Sequence, residues 1–187
     1  VCKLIGAVFR IPLTNLVGSA AMSYYSSAYS VYNVLLSLAT SGIPTGIAAM
    51  ISRSVALNKL KDTKAIVRLS FQIFVSFGAL LTVVGMLFAD NIAVLMNSEE
   101  ASPAVFWIMP AVFCIAVVSV FKGFFQGYNN MVPTALSNII EAVVKLFLGY
   151  GIASWMHQNG FSDSEVVGGA ILGVTIGTLL AMIYLMI

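Results

Sequence analysis

Long apolar stretches separated by short polar segments recur along the whole chain. Four of them contain no Asp, Glu, Lys or Arg, and they run from 11 to 52, from 69 to 89, from 101 to 121 and from 166 to 187. A helix needs about 20 apolar residues to cross about 30 Å of hydrocarbon at about 1.5 Å per residue. Each stretch is therefore long enough to cross a bilayer.

This pattern predicts an all-α fold, a polytopic transmembrane bundle of about six helices. The predicted helices run from the start of the chain to about 17, then over about 21–51, 66–89, 102–121 and 134–156, and from about 166 onward. The second is too long for one straight crossing. We expect Gly42 and Pro44 to break or kink it, because proline lacks the amide hydrogen and its ring clashes with the carbonyl four residues earlier.

Composition excludes an ordinary soluble domain. Hydrophobic residues make up 60% of the chain, charged residues only 9%, and the mean hydropathy is +1.00; soluble domains carry about 25% charged residues.

The chain opens at Val1 and ends at Ile187, both inside apolar stretches, so we expect a fragment with an incomplete first helix. Cys2 and Cys114 lie in apolar stretches and indicate neither a disulfide framework nor a metal site, and no cofactor is predicted.

The charges between the apolar stretches predict an orientation. The predicted segments 53–68 and 122–133 hold six cations, namely Arg53, Lys59, Lys61, Lys64, Arg68 and Lys122. The alternate segments, 90–101 and 157–165, hold no Lys or Arg. Because Lys and Arg collect on the cytoplasmic side, the first pair of segments is predicted to be cytoplasmic and the second pair outside. We interpret the basic segment at 53–68 as a topology signal in contact with solvent, and not as a binding site for nucleic acid or a partner.

Four charged residues fall inside predicted spans: Lys3, Arg10, Glu141 and Lys145. A charge at membrane depth costs several kcal/mol unless it faces a protein interior or a hydrated cavity, so each is a candidate functional residue. Lys3 and Arg10 are two helical turns apart, on one face. Arg10 lies about 12 Å below the predicted helix end, so its guanidinium should face a cavity, and Pro12 should bend the helix there.

Two interpretations stay open for Glu141 and Lys145, which stand four residues apart. They either form an intrahelical ion pair that neutralises both charges, or they belong to a transport pathway. Lys3 is either an interfacial lysine or a substrate contact. Three cations against one carboxylate favour an anionic substrate, and guanidinium binds phosphate oxygens in pairs. A transporter of organic cations would need an excess of buried carboxylates.

The most distinctive segment is FKGFFQGYNNMVPTALSNIIE, which runs from Phe121 to Glu141. Gly123 and Gly127 form a small-residue face that allows a neighbouring helix to approach closely. Asn129 and Asn130 are typical of a turn, and Pro133 suits the first turn of the next helix. The segment predicts a helical hairpin on the cytoplasmic side.

Together with KLIGAVFRIPLTNLVG (3–18) and YNVLLSLATSGIP (32–44), this hairpin resembles a known family. That family is the polysaccharide biosynthesis and stage V sporulation protein B branch of the multidrug/oligosaccharidyl-lipid/polysaccharide exporter superfamily, which includes flippases for the peptidoglycan precursor lipid II. The hairpin positions that carry the resemblance are Gly123, Gln126, Gly127, Met131, Pro133, Thr134, Ala135, Ser137 and Glu141, and Lys122 belongs to the same hairpin. The resemblance covers nearly the whole chain.

The resemblance implies a two-lobed transporter, each lobe a bundle of about six helices, with a central cavity that opens alternately to the two sides. Residues 1–187 resemble the first lobe alone. Arg10 matches a cavity arginine that holds the substrate's diphosphate in lipid II flippases, with Lys3 as a second cation. The second helix lacks the arginine of the best-known flippases, and Lys122 and Asn138 stand where Arg and Gln are more common.

We therefore predict a flippase, not an enzyme, in the bacterial cytoplasmic membrane. It would move an undecaprenyl-diphosphate saccharide, such as lipid II or a polysaccharide repeat unit, by alternating access about the bend at Gly42 and Pro44, driven by membrane potential or a coupling ion of unknown identity. The alternative is a multidrug/cation antiporter of the same superfamily. A membrane-embedded glycosyltransferase or phosphatase would need clustered acids or histidines, which the sequence lacks. An ion channel would need a filter segment, and the sequence contains no recognisable one.

Overall fold

A computed structural model of the chain describes the backbone of residues 2–96 and 99–187. Some side chains in these ranges lie outside the description, namely those of residues 2–11, 17, 19, 20, 31, 35, 36, 38–41, 60 and 99. The described chain is helical almost throughout. Its elements are α1 (Cys2–Ser41), α2 (Ile43–Ala56), α3 (Leu60–Leu87), α4 (Ala89–Leu95), a short 3-10 turn (Glu99–Ala101), α5 (Ser102–Gly127), α6 (Val132–Val144), a π-helical segment (Lys145–Gly149), α7 (Tyr150–Gln158) and α8 (Asp163–Met186).

The all-α bundle predicted from the sequence is confirmed. Among the described residues, four helical stretches are long and apolar enough to span a membrane, namely Lys61–Leu87, Ser102–Gly127, Val132–Gln158 and Asp163–Met186. They correspond to the third, fourth, fifth and sixth predicted helices. The short helix α4, which follows α3 after one residue, was not predicted.

The first two predicted helices join in one long element. Within α1, Gly18 has φ 79° and ψ 173°, so the chain changes direction there between two helical parts. A positive φ of this kind favours glycine because it has no Cβ. Pro12 lies inside the helix upstream of this interruption. The interruption at Gly18 lies between the two helices predicted to end at about 17 and to begin at about 21. Pro12, where we expected a bend, stays inside the helix, since a membrane helix tolerates an internal proline when neighbouring groups satisfy the freed carbonyl.

A second interruption separates α1 from α2. Gly42 is a single turn residue between them, and the buried Pro44 lies in the first turn of α2. A proline is well accommodated there, because the amide hydrogen that it lacks would have no partner inside the helix. The long second predicted helix is therefore two helices joined at Gly42.

Helix α5 occupies the centre of the bundle. It packs against α8, α3, α2 and α1. The core lies mainly between α5 and α8, where Val105, Ile108, Ile171 and Val174 are fully buried. Buried residues recur along most of the length of α5, so this helix is covered on most sides by other helices.

Helix α3, by contrast, exposes one apolar face along its length. Leu69, Ile73, Phe77 and Leu80 are each more than half exposed. A continuous exposed apolar stripe of this kind marks a surface that meets lipid or another protein. In a bundle whose helices are long enough to span a bilayer, this face suits the hydrocarbon.

Candidate functional site in the bundle interior

Three tyrosines of α1 line one face of that helix. Tyr25, Tyr29 and Tyr32 are separated by four and then three residues, so they stand one above the other. The rings of Tyr25 and Tyr29 are stacked with centroids 5.4 Å apart, and those of Tyr29 and Tyr32 lie 5.3 Å apart. Tyr25 and Tyr32 are buried almost completely. The face carries aromatic rings and hydroxyls into the bundle interior.

Lys145 meets this tyrosine face from the opposite side. Its ammonium donates a hydrogen bond to the Tyr29 hydroxyl at 2.9 Å. The same nitrogen lies 5.0 Å from the Tyr29 ring centroid and 5.9 Å from that of Tyr32, within range of cation–π attraction. Lys145 is only 9% exposed. A buried ammonium is thus held by uncharged aromatic groups.

Glu141 also bonds to α1 and not to the lysine one turn away. Its Oε1 accepts a hydrogen bond from the Tyr32 hydroxyl at 3.0 Å. No ion pair within 4 Å joins Glu141 and Lys145, two residues whose side chains are both described. The predicted intrahelical ion pair is therefore not formed. Each of the two charged groups forms a hydrogen bond with a tyrosine hydroxyl of α1 instead.

The backbone of the fifth predicted helix changes where Lys145 stands. Residues Lys145–Gly149 form a π-helical segment between α6 and α7. Short π-helical segments inside α-helices are rare and often occur at functional sites. The segment widens the helix by about one residue per turn, which alters the direction in which Lys145 points relative to a regular helix.

Two glycines of α8 allow this segment to lie against α8. A Cβ on Gly173 would stand 2.3 Å from the Gly149 Cα, and one on Gly177 would stand 2.9 Å from the Glu141 carbonyl oxygen. These distances leave no room for a side chain at either position. The close approach of α8 fixes one side of the segment, while the tyrosines of α1 hold the other.

A second buried cation lies near the end of α5, in the helical hairpin that α5 and α6 form. Lys122 is 8% exposed and donates a hydrogen bond to Asn138 Oδ1 at 2.7 Å. The prediction that Lys122 belongs to a cytoplasmic loop is wrong: α5 continues to Gly127, more than a turn beyond the lysine, and the connection to α6 is Tyr128–Met131. Helix formation continues because the residues around Lys122 pack against α2.

The two hairpin glycines face α2. A Cβ on Gly123 would stand 2.8 Å from the Ile47 Cβ and 3.0 Å from the Pro44 carbonyl oxygen. One on Gly127 would stand 2.7 Å from the Ile51 Cβ. The neighbour that the small-residue face admits is therefore α2, close to the break at Gly42.

The remaining hairpin residues lie in the last turn of α5 and in the first two turns of α6. Gln126 lies in the last turn of α5, and its carbonyl accepts a hydrogen bond from the Asn129 amide at 2.9 Å. Pro133 stands in the first turn of α6. The fully buried Ser137 donates to the Thr134 carbonyl at 2.9 Å. The Thr134 Oγ1 is buried and, within the described residues, has no hydrogen-bond partner.

The side chains of Lys3 and Arg10 lie outside the described residues, so their predicted place in a cavity stays a prediction. Their backbone belongs to the part of α1 before Gly18. Among the described residues, no three His, Cys, Asp or Glu side chains gather closely enough to hold a metal ion. An apolar recess of about 540 Å³ lies apart from the charged residues, between α1, α3, α4 and α5.

The sequence matches the polysaccharide biosynthesis protein family over residues 1–187. The chain belongs to this family. Within it, the chain is 28% identical over 185 residues to the uncharacterized membrane protein YabM of Bacillus subtilis, and 27% identical over 197 residues to the stage V sporulation protein B of the same organism. It is also 21% identical over 192 residues to the Bacillus subtilis lipid II flippase MurJ.

These matches cover 99%, 100% and 98% of this chain but 34%, 36% and 34% of the three relatives. The chain thus spans about a third of the length of the curated relatives it matches. No solved structure matches it significantly. Membership of the polysaccharide biosynthesis protein family agrees with the resemblance carried by the three sequence segments.

The partners of Glu141 and Lys145 were missed by sequence reasoning. In this member of the polysaccharide biosynthesis protein family, the tyrosines of α1 lie more than a hundred residues from the charges that they bind. One signal was available, since Tyr25, Tyr29 and Tyr32 share a helix face in a segment predicted to span the membrane. Three hydroxyls on one face of such a helix indicate polar groups that need partners inside the bundle.

Proposed function

We propose that the full-length protein moves a lipid-linked saccharide of the undecaprenyl-diphosphate type, such as lipid II or a polysaccharide repeat unit, across the cytoplasmic membrane. Residues 1–187 would form the first lobe of this transporter. The family supports this at a coarse level, since polysaccharide biosynthesis proteins and a relative named as a lipid II flippase point to a transporter and not to an enzyme.

The observation that carries the proposal is the environment of Lys145. This lysine is buried within a helical stretch long enough to span a bilayer, and its hydrogen-bond partner is a neutral phenol. A buried charge is costly unless it is neutralised, and intramembrane charges mark substrate or ion pathways. An ammonium held by tyrosine, instead of being paired to Glu141, keeps positive charge available for an anionic head group.

In this proposal the tyrosine face of α1 shields Lys145 in one state and releases it in another. The interruptions at Gly18 and Gly42 lie on either side of the tyrosines, so that the part of α1 between them could move as one unit. Movement away from α6 would free Lys145 to contact diphosphate oxygens. Arg10 and Lys3, on the other side of Gly18, would supply the remaining positive charge.

The test uses the full-length protein in vesicles that contain a fluorescent undecaprenyl-diphosphate saccharide. Arg10→Ala and Lys145→Met should each lower the initial rate of transfer by at least about tenfold, because each removes a charge-assisted contact to phosphate. Arg10→Lys should keep part of the rate. Tyr150→Phe, which changes an exposed ring on α7, serves as the control and should transfer at the native rate.

Native transfer by both Arg10→Ala and Lys145→Met would contradict the proposed role of these cations. A second candidate function is a drug/cation antiporter, and Glu141 is the observation in its favour, because its carboxylate and the neighbouring tyrosine rings could hold an organic cation. Uptake of labelled tetraphenylphosphonium distinguishes the two functions. Uptake that depends on Glu141, without any saccharide transfer, would favour the antiporter.

A further inference from the structure

Five cations stand together where α2 ends and α3 begins. They are Arg53 of α2, Lys59 of the connection, and Lys61, Lys64 and Arg68 of α3, and all five are exposed. Within the described residues, none of their side chains forms an ion pair or a hydrogen bond. The one carboxylate among them, Asp62, is also unpaired. This group, which we call the basic surface, therefore has five free cations against a single acid.

The cations of α3 are ordered on one side of the helix. Lys61, Lys64 and Arg68 follow each other at intervals of three and four residues, which places them on one face. From Leu69 onward the exposed residues of α3 are mainly apolar. The basic surface thus lies at the beginning of α3, before the exposed residues of this helix become mainly apolar. This position corresponds to the depth of phospholipid head groups when α3 spans a bilayer.

An apolar groove lies between α2 and the beginning of α3, the two helices that carry four of these five cations. It has a volume of about 280 Å³ and is lined by Met50 of α2 and by Asp62, Ala65, Ile66, Leu69 and Ser70 of α3. Arg53 comes three residues after Met50 on α2, so a cation stands about one helical turn beyond the α2 side of the groove. Along α3 the groove continues into the stripe formed by Leu69, Ile73, Phe77 and Leu80.

We propose that the basic surface and this groove form a binding site for an anionic phospholipid. The phosphate group contacts the exposed cations, and one acyl chain follows the groove and the apolar stripe of α3. Clusters of Lys and Arg beside a membrane helix attract anionic lipids, and the attraction weakens with ionic strength. Asp62 lies at the edge of the groove and accepts hydrogen bonds from hydroxyls of a phosphatidylglycerol head group.

The experiment places a fluorescent reporter beside the groove of the full-length protein. Leu69→Cys is labelled with bimane in a background without other cysteines, and the protein is reconstituted in phosphatidylcholine vesicles. Brominated phosphatidylglycerol or brominated phosphatidylcholine is then added at equal mole fraction to quench the reporter. The same reporter at Ile183, a half-exposed position near the end of α8, serves as the matched control.

At Leu69 we expect phosphatidylglycerol to quench at least about threefold more strongly than phosphatidylcholine, and about 0.5 M NaCl should reduce this ratio. The double variant Lys61→Gln, Lys64→Gln should bring the ratio close to one, whereas Lys61→Arg, Lys64→Arg should keep it. At Ile183 the two lipids should quench equally. Accessibility of an Asn58→Cys label verifies that the variants keep the native orientation.

Equal quenching at Leu69 by the two lipids in the native background would overturn the proposal. So would a preference for phosphatidylglycerol that high salt does not reduce, or one that the folded double variant keeps in full. The native and high-salt measurements need no substitution in the basic surface, so they decide the matter even if the double variant does not fold. The outcome is independent of saccharide transfer.

Discussion

At the scale of single residues, the bundle interior separates two charges that the sequence places one turn apart. Glu141 and Lys145 were identifiable as functional candidates, because a charge inside a predicted span is costly unless a partner or a hydrated pathway receives it. Their partners were not, since Tyr29 and Tyr32 come from a distant part of the chain and tyrosine is common in apolar segments. Which of several polar groups a buried charge selects depends on packing, which the sequence does not show.

The bond between Lys145 and Tyr29 leads to a stability prediction. Tyr29→Phe keeps the ring but removes the acceptor, so a buried ammonium loses its hydrogen bond, and the free energy of unfolding should fall by about 1–3 kcal/mol. Adding Lys145→Met should restore most of the loss, because the stranded charge is gone. Thermal unfolding of the purified full-length protein measures both. Tyr150→Phe is the control and should change stability by less than about 0.5 kcal/mol. If the two substitutions lowered the free energy of unfolding additively, the result would contradict a hydrogen bond between Lys145 and Tyr29.

A second prediction concerns Lys122 and Asn138, which are in contact across the hairpin. Lys122→Arg and Asn138→Gln each enlarge one partner in a buried space, so each alone should lower the unfolding midpoint by several degrees. Made together, they should not simply add, because residues in direct contact are coupled. A double-mutant cycle on unfolding midpoints tests this. Strict additivity would mean that the two side chains do not interact in solution.

At the scale of helices, the sequence predicted the spans and the interruptions near Gly18 and Gly42, but not the backbone changes at α4 and at Lys145–Gly149. The ends of α5 to α8 lie within a few residues of expectation at most boundaries, because apolar length can be read directly from the sequence. The break at Gly18 falls in the gap between the first two predicted helices, at about 18–20. The short helix α4 and the π-helical segment were not foreseen. They depend on backbone angles and close contacts, and a glycine in an apolar segment has several structural uses.

The contact of α5 with α2 predicts a difference between two glycines. Gly127→Ala should destabilise the protein by about 1–3 kcal/mol, because its Cβ would stand 2.7 Å from the Ile51 Cβ and force the helices apart. Gly46→Ala, in α2 itself, meets no atom within 4 Å. It should be neutral or stabilising by about 0.5–1 kcal/mol, since alanine favours a helix. Comparing their unfolding midpoints tests the packing, and equal effects would count against it.

At the scale of the whole molecule, the distribution of charge predicts an orientation. Arg53, Lys59, Lys61, Lys64 and Arg68 lie at one end of the bundle, and Asp90, Glu100 and Asp163 lie at the other. The correction at Lys122 leaves this distribution almost unchanged, because that lysine is buried at the basic end. The orientation still rests on the preference of Lys and Arg for the cytoplasmic side.

Cysteine labelling in intact cells tests the orientation. Asn58→Cys lies in the turn between α2 and α3 and should react only after the membrane is made permeable to the reagent. Asn159→Cys lies in the turn between α7 and α8 and should react from outside. Both residues are exposed, so access to the thiol depends on the side of the membrane and not on burial. The reverse pattern of labelling would show that the bundle has the opposite orientation in the membrane.

The π-helical segment at Lys145–Gly149 has a consequence for insertions and deletions. A wide turn of this kind corresponds to one extra residue in an otherwise regular helix, and in an α-helix one residue turns the chain by about 100°. Relatives that lack one residue here would keep an unbroken helix, but every side chain of α7 would face a different neighbour. We therefore expect the length of this segment to be retained more strictly among homologues than its residue types, apart from Lys145 and Gly149.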